Sequence, residues 1–200
     1  MHIMKTHDIH PDLDEGHLTE VALLVKQAYH SAAISSEPEM GDTPWCRGCV
    51  AYDRARYAIR RAADRLPWLS VIDGTMHFVF AIGKVPLRFF HGDSSAAPSR
   101  YLIRHGPEIR AQQLAFEFMA GAEQDVVLRI AMETNETGEA TSATLLRVSH
   151  DGVTLDCLRI PLSTRVTPMH KPKDSVDVGP PAVGVRRDAR GGEESAGHRR

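Results

Sequence analysis

Two of the chain's three cysteines lie in Thr43-Pro44-Trp45-Cys46-Arg47-Gly48-Cys49, separated by two residues, just where a helix begins. A thiol pair so placed has an evident chemistry. The positive end of a helix favours thiolate over thiol, and the thiolate is the nucleophile of disulfide exchange. The same pair also supplies half of a zinc site. Cys157 with His91 or His150 would have to complete it, because no second Cys-x-x-Cys exists. The plainest role is as two small packing residues near a helix start.

A second group surrounds the segment after residue 90: Arg88, His91, Asp93, Arg100, Tyr101, Arg104 and His105. Histidine or tyrosine for proton transfer, with arginine for charge developing on phosphate, is what a metal-independent ribonuclease uses. Arg88, His91, Tyr101 and Arg104 would carry it. A third group is purely cationic. Arg54, Arg61 and Arg65 stand seven and four residues apart and share one helix face, with Arg60 beside them. Such a face suits phosphate or an acidic partner. Asp64, four residues beyond Arg60, is placed to pair with it.

The elements that must position these groups follow from periodicity. Leu18, Val21, Ala22, Val25, Ala28, Tyr29 and Ala32 repeat at helical spacing and predict a helix from Glu15 to about Ser35. Residues 35–44 read as a loop, punctuated by Pro38, Gly41 and Pro44. A second helix is expected from near Gly48 to Leu66, with Ala51, Ala55, Ala58, Ile59, Ala62 and Leu66 facing the first. Pro67 ends it.

Strands are expected at Leu69–Ile72, Met76–Ile82 and Val85–Phe90, joined at Asp73-Gly74 and Gly83-Lys84 into an antiparallel meander. Pro86 places the third strand at an edge. A short helix over Pro107–Gln113 and an extended piece through Leu114, Phe116 and Phe118 come next. Strands near 126–132, 141–148 and 153–160 complete the pattern.

The Trp-Cys-x-x-Cys stretch resembles the dithiol of thioredoxin-like oxidoreductases. Gly83-Lys84-Val85-Pro86-Leu87-Arg88-Phe89-Phe90 looks like that family's segment in which a cis-proline opening a strand faces the dithiol. The resemblance implies Cys46 as attacking thiol, Cys49 as resolving thiol and Pro86 as the proline facing the substrate. It covers only these two segments. A polar loop precedes the dithiol where the family has a strand, and further strands follow where the family closes with a helix. Two helices followed by an antiparallel sheet also loosely resemble small ribonuclease toxins.

Composition bounds the rest. With 42% hydrophobic residues in 200, one domain can bury a real core. No run of about 18 apolar residues predicts a membrane span. Met1 to Asp8 lacks the apolar stretch of a secretory signal, and three cysteines do not make a disulfide framework, so the cytosol is the expected compartment. His2, His7, His10 and His17 read as scattered polar residues rather than metal ligands. From Arg165 onward the chain carries eight basic and five acidic residues, which leaves the body mildly acidic. A dedicated nucleic-acid-binding domain would be strongly basic. Metalloprotease, P-loop, dinucleotide and hydrolase-elbow motifs are absent from the sequence.

The expected architecture is α+β: a helical hairpin on an antiparallel sheet of about five to six strands over 15–162. Residues 1–14 are expected to be a flexible leader and 163–200 a disordered tail. The expected function is that of a non-enzymatic, intracellular, bacterial-type binding or regulatory protein, such as an inhibitor, antitoxin or accessory factor. It would meet protein or nucleic acid through Arg54, Arg60, Arg61 and Arg65, with no cofactor, metal or membrane. Strand 85–90 would pair two copies as a homodimer. The alternative is an enzyme, either the dithiol oxidoreductase (Cys46, Cys49, Pro86) or the ribonuclease.

Overall fold

Helix boundaries follow the capping residues. The computed structural model describes residues 5–116, 126–149 and 151–163. A short α1 (Thr6–Ile9) leads into α2 (Glu15–Ile34), whose N-cap Asp14 accepts a hydrogen bond from the His17 N–H. The seven apolar positions anticipated for α2 are all buried. A single 3₁₀ turn (Pro38–Met40) separates it from α3 (Pro44–Ala63). This helix starts four residues earlier than expected. Thr43 caps it by accepting from the Cys46 N–H, and Pro44 sits at the first position, where its missing N–H costs nothing. Ala51, Ala55, Ile59 and Ala62 bury against α2, and their small side chains let the two backbones approach closely.

Six strands form one sheet in the order of the chain: β1 (Leu69–Asp73), β2 (Val79–Ile82), β3 (Val85–His91), β4 (Val126–Thr134), β5 (Ala140–Ser149) and β6 (Thr154–Ile160). The α+β class holds, but the sheet is mixed. β3 and β4 run parallel, with Arg88 opposite Arg129 and Phe90 opposite Ala131. The connection between them carries α4 (Ser99–Leu102) and α5 (Gly106–Phe116). Crossover helices belong to parallel pairs, and α5 supplies one here. It runs three residues past its expected end. Its buried face is Glu108, Gln112 and Ala115, at helical spacing. Any extended piece beyond Phe116 lies outside the described residues.

Both sheet faces are covered at the centre, so β2, β3 and β4 are buried almost throughout. The main core joins α2 and α3 to Phe80, Leu87, Phe89, Ile130 and Leu145. The opposite face holds a smaller cluster of Phe90, Val127, Ala131, Leu146 and Val148, against which Tyr101 and Leu102 pack.

Two expectations change here. β3 lies between β2 and β4, so the expectation of an edge strand at 85–90 is corrected; the sheet edges are β1 and β6. Pro86 is accommodated because it pairs with Ala81 of β2, before the β4 ladder begins at Arg88. The leader is also partly structured. Ile9 and Leu13 are buried, and His10 is pinned between the Asp12 N–H, which donates to its Nδ1 (3.0 Å), and the Ala115 carbonyl, which accepts from Nε2 (3.0 Å). The expected tail over 163–200 falls, from residue 164 on, outside the described residues.

The strap formed by residues 9–13 crosses the β2–β3 turn. Gly83 has φ 58°, and a Cβ there would stand 2.7 Å from the Asp12 Cβ. Gly83→Ala should therefore cost about 1–2 kcal/mol from backbone handedness alone, plus the displaced strap. A lowered denaturant midpoint with an unchanged slope is the expected readout.

Candidate functional site

A gap in the sheet makes a pocket. The β2–β3 ladder spans Ile82↔Val85 to Phe80↔Leu87, and β2 begins at Val79. Residues 88–91 of β3 therefore pair only with β4 and leave their other side open. Groups from both faces of the sheet meet in that opening, around a cavity of about 490 Å³.

Beneath it lies a buried ionic cluster. Arg129 of β4 is 0% exposed, Glu108 of α5 2% and Arg88 of β3 6%. Arg129 Nη1 donates to Glu108 Oε1 (2.5 Å) and to the Leu128 carbonyl (2.9 Å), and its Nε donates to the Tyr101 carbonyl (2.5 Å). Arg88 Nη1 donates to the Ile103 carbonyl (3.0 Å) and lies 3.8 Å from Glu108 Oε2. Burial holds the Arg129 guanidinium down to about 10, against the pull of Glu108. Two guanidiniums thus share one carboxylate. Arg129 Nη2 and Glu108 Oε2 make no hydrogen bond to the described residues. Of this cluster, Arg88 reaches the pocket.

One wall is a stripe of α3. Trp45, Cys49, Tyr52 and Arg56 fall four, three and four residues apart, and all line the cavity. The Tyr52 hydroxyl donates to the Met76 carbonyl (3.0 Å). Arg56 donates to the Gly74 carbonyl (2.7 Å) and to Asp53 (3.2 Å), and its guanidinium sits over the Tyr52 and Phe78 rings. Arg60 donates to the same Gly74 carbonyl (3.2 Å). These bonds hold the turn before β2 against α3.

The facing wall is aromatic and basic. Tyr101 stacks on Phe90 at 4.9 Å, and the Arg100 guanidinium lies 4.9 Å from the Tyr101 ring. His91 Nε2 lies 2.9 Å from Thr134 Oγ1, and its pKa is lowered by burial and then by Arg47. His77 stacks on His105 at 3.5 Å. Burial and that neighbour lower the His105 pKa. Tyr29, whose phenol burial pushes well above its ordinary pKa, closes the interior.

Two of the expected groups therefore converge. Cys49, remote from them in the sequence, lines the same cavity as Arg88, His91 and Tyr101. Arg104 does not join them. It donates to Gln112 Oε1 (3.4 Å) and borders a separate depression beside Ile103 and Ile109. The arginine face is also divided. Arg54 donates to Ser31 Oγ of α2 (2.8 Å), Arg60 serves Gly74, and Arg65 Nε donates to the Arg61 carbonyl (3.3 Å). Arg60 turns to Gly74 rather than to Asp64 as expected. Arg60, Arg61 and Arg65 remain exposed, outside the pocket.

Cys46 sits in the first turn of α3, where the Thr43 hydroxyl donates to its Sγ (3.4 Å) and lowers its pKa. A 3₁₀ turn, not a strand, precedes it, and Pro86 is buried in β3 and does not line the cavity. Cys157 is exposed on β6, His150 lies outside the described residues, and among the described residues no group of three His, Cys, Asp or Glu is placed to hold a metal. Comparison with protein-family models, curated proteins and solved structures gives no match.

Tyr52, Arg56, His77, Glu108 and Arg129 were not singled out from the sequence. Arg129 left a signal: an arginine inside Val126-Val127-Leu128-Arg129-Ile130-Ala131-Met132 must be buried with a partner. Glu108 left none, because a glutamate in a helix's first turn is ordinary.

Two outcomes follow. Glu108→Ala should destabilise the fold by about 3–5 kcal/mol, since it strands two buried guanidiniums. Glu108→Gln, which keeps an acceptor for Arg129, should lose less, as read by urea unfolding. Cys46 should be alkylated by iodoacetamide at pH 7 faster than Cys49. Thr43→Ala should slow that reaction and cost about 1 kcal/mol as the cap is lost.

Proposed function

We propose that this is a non-enzymatic binding protein that takes single-stranded nucleic acid, seating one nucleotide in the pocket between α3 and β3. The observation that carries the reading is the pairing of a buried cationic surplus at Arg88 with a ring of aromatic side chains. Trp45, Tyr52 and Tyr101 offer faces for a base, and Arg88 and Arg100 offer forks for phosphate. The volume lies in the range of small-molecule and cofactor sites. A net charge of −2 argues against coating a duplex, and suits local capture of a short flexible segment. Exposed Arg60, Arg61 and Arg65 give a passing strand a second, weaker contact. A regulatory role, as inhibitor, antitoxin or accessory factor, is compatible with such binding.

A ribonuclease reading has one observation in its favour: His91, Arg88 and Tyr101 do share a cavity. The same assay separates the two. Fluorescence anisotropy with a labelled single-stranded RNA 12-mer should show binding that weakens steeply with salt, with the RNA recovered intact. Trp45→Ala and Tyr101→Ala should each weaken it by about 1–3 kcal/mol, the range for one stacked base. No binding at low salt overturns the proposal. Cleavage that disappears in His91→Ala replaces it with catalysis.

A further inference from the structure

Resting on that reading, we infer that the pocket is built for a phosphomonoester on a nucleoside, rather than for the bridging phosphodiester of a continuous strand. The two sources of that chemistry are the phosphorylated end of a single strand and a free nucleoside monophosphate.

The first argument is charge. Arg88 and Arg129 bury two positive charges against the single carboxylate of Glu108. Arg56 has its own partner in Asp53, 3.2 Å away. Arg100 stands over Tyr101 at the pocket's edge. The surplus near Arg88 is therefore about two charges, one from the cluster and one from Arg100. A bridging phosphate carries one negative charge, and a terminal phosphate about 1.5 to 2 at pH 7. The dianion matches the surplus.

The second argument is hydrogen bonding. As the cluster stands, Glu108 is divided: Oε1 serves Arg129, while Oε2 faces Arg88 at 3.8 Å and accepts no hydrogen bond from the described residues. Arg129 Nη2 likewise finds no acceptor among them. A terminal phosphate with three free oxygens gives Arg88 its own bidentate counter-ion. Glu108 is then released to serve Arg129 with both oxygens. Ligand and cluster complete each other.

The third argument is shape. α3, the turn at residues 76–77, β3 and residues 100–101 all contribute to the lining, and Arg88 is its most buried arginine. A chain end reaches such an inner position without needing a second exit.

The test is competition and direct titration by anisotropy and calorimetry. The probes are a single-stranded 6-mer with a 5′-phosphate, a 3′-phosphate or hydroxyls at both ends, together with adenosine 5′-monophosphate and adenosine. The expected result is at least tenfold tighter binding of a phosphate-bearing probe than of its hydroxyl counterpart. That preference should fall severalfold in Arg100→Ala, an exposed position whose replacement leaves the core intact, and in Arg88→Lys, which keeps the charge but loses the fork. Preference shown by the 6-mers identifies the strand end. Preference shown by the monophosphate alone supports the inference with the free nucleotide as source, and removes the nucleic-acid reading. Equal binding of phosphorylated and hydroxyl 6-mers overturns the inference and leaves that reading standing. No binding of any probe overturns both.

Discussion

Two arginines side by side in a sheet interior repel each other unless an anion lies between them. That constraint organises this protein. The parallel register of β3 and β4 sets Arg88 opposite Arg129, and neighbouring strands are only about 5 Å apart. Glu108 is the anion, and it arrives on the crossover helix that the parallel pairing itself requires. The same guanidiniums bind the Tyr101 and Ile103 carbonyls. The segment between β3 and α5 is thereby fastened to the sheet, and Tyr101 is carried to its place on Phe90. Replacing such a cluster with apolar residues often costs a protein nothing.

The pocket itself comes from a mismatch of strand lengths. β2 is four residues long and β3 seven. The unmatched end of β3 opens a window in a sheet otherwise covered on both sides. Arg88 and Tyr101, which belong to one face, can then share space with Tyr29 and Tyr52, which belong to the other. The turn that would fill the window is held back by Arg56 and Arg60, both bonded to the Gly74 carbonyl. α3 thus does three things with three stripes. Its alanines bury against α2, one line of Trp45, Cys49, Tyr52 and Arg56 walls the pocket, and the remaining arginines spread outward: Arg54 to Ser31 of α2, Arg60 to the Gly74 carbonyl, Arg47 to the Glu136 carbonyl and Arg61 to water. Thr43 caps the first turn beside Cys46, and Cys49 further along lines the pocket.

What could be read from the chain was whatever depends on neighbours in sequence. The buried stripe of α2, the alanine stripe of α3, the presence of six strand segments and the turn at Gly83 all follow from local periodicity and glycine chemistry, though the strand expected from Met76 begins only at Val79. Helix ends were off by a few residues because Thr43 and Pro44 outweigh the loop-like composition before them. The packed strap of residues 9–13 was missed because Ile9 and Leu13 are too few to show a period.

The direction of β4 relative to β3 could not be read locally, since either direction satisfies the same apolar run. Upon that direction rest the juxtaposition of Arg88 with Arg129, the interior place of β3 and the use of Glu108. The sequence alone determined that Cys49, Arg88, His91 and Tyr101 are residues with chemistry to offer. Only the tertiary structure decided that they face one cavity while Arg104 and Pro86 do not, because that depends on where β2 stops and on which face each side chain emerges, and both are settled by long-range pairing.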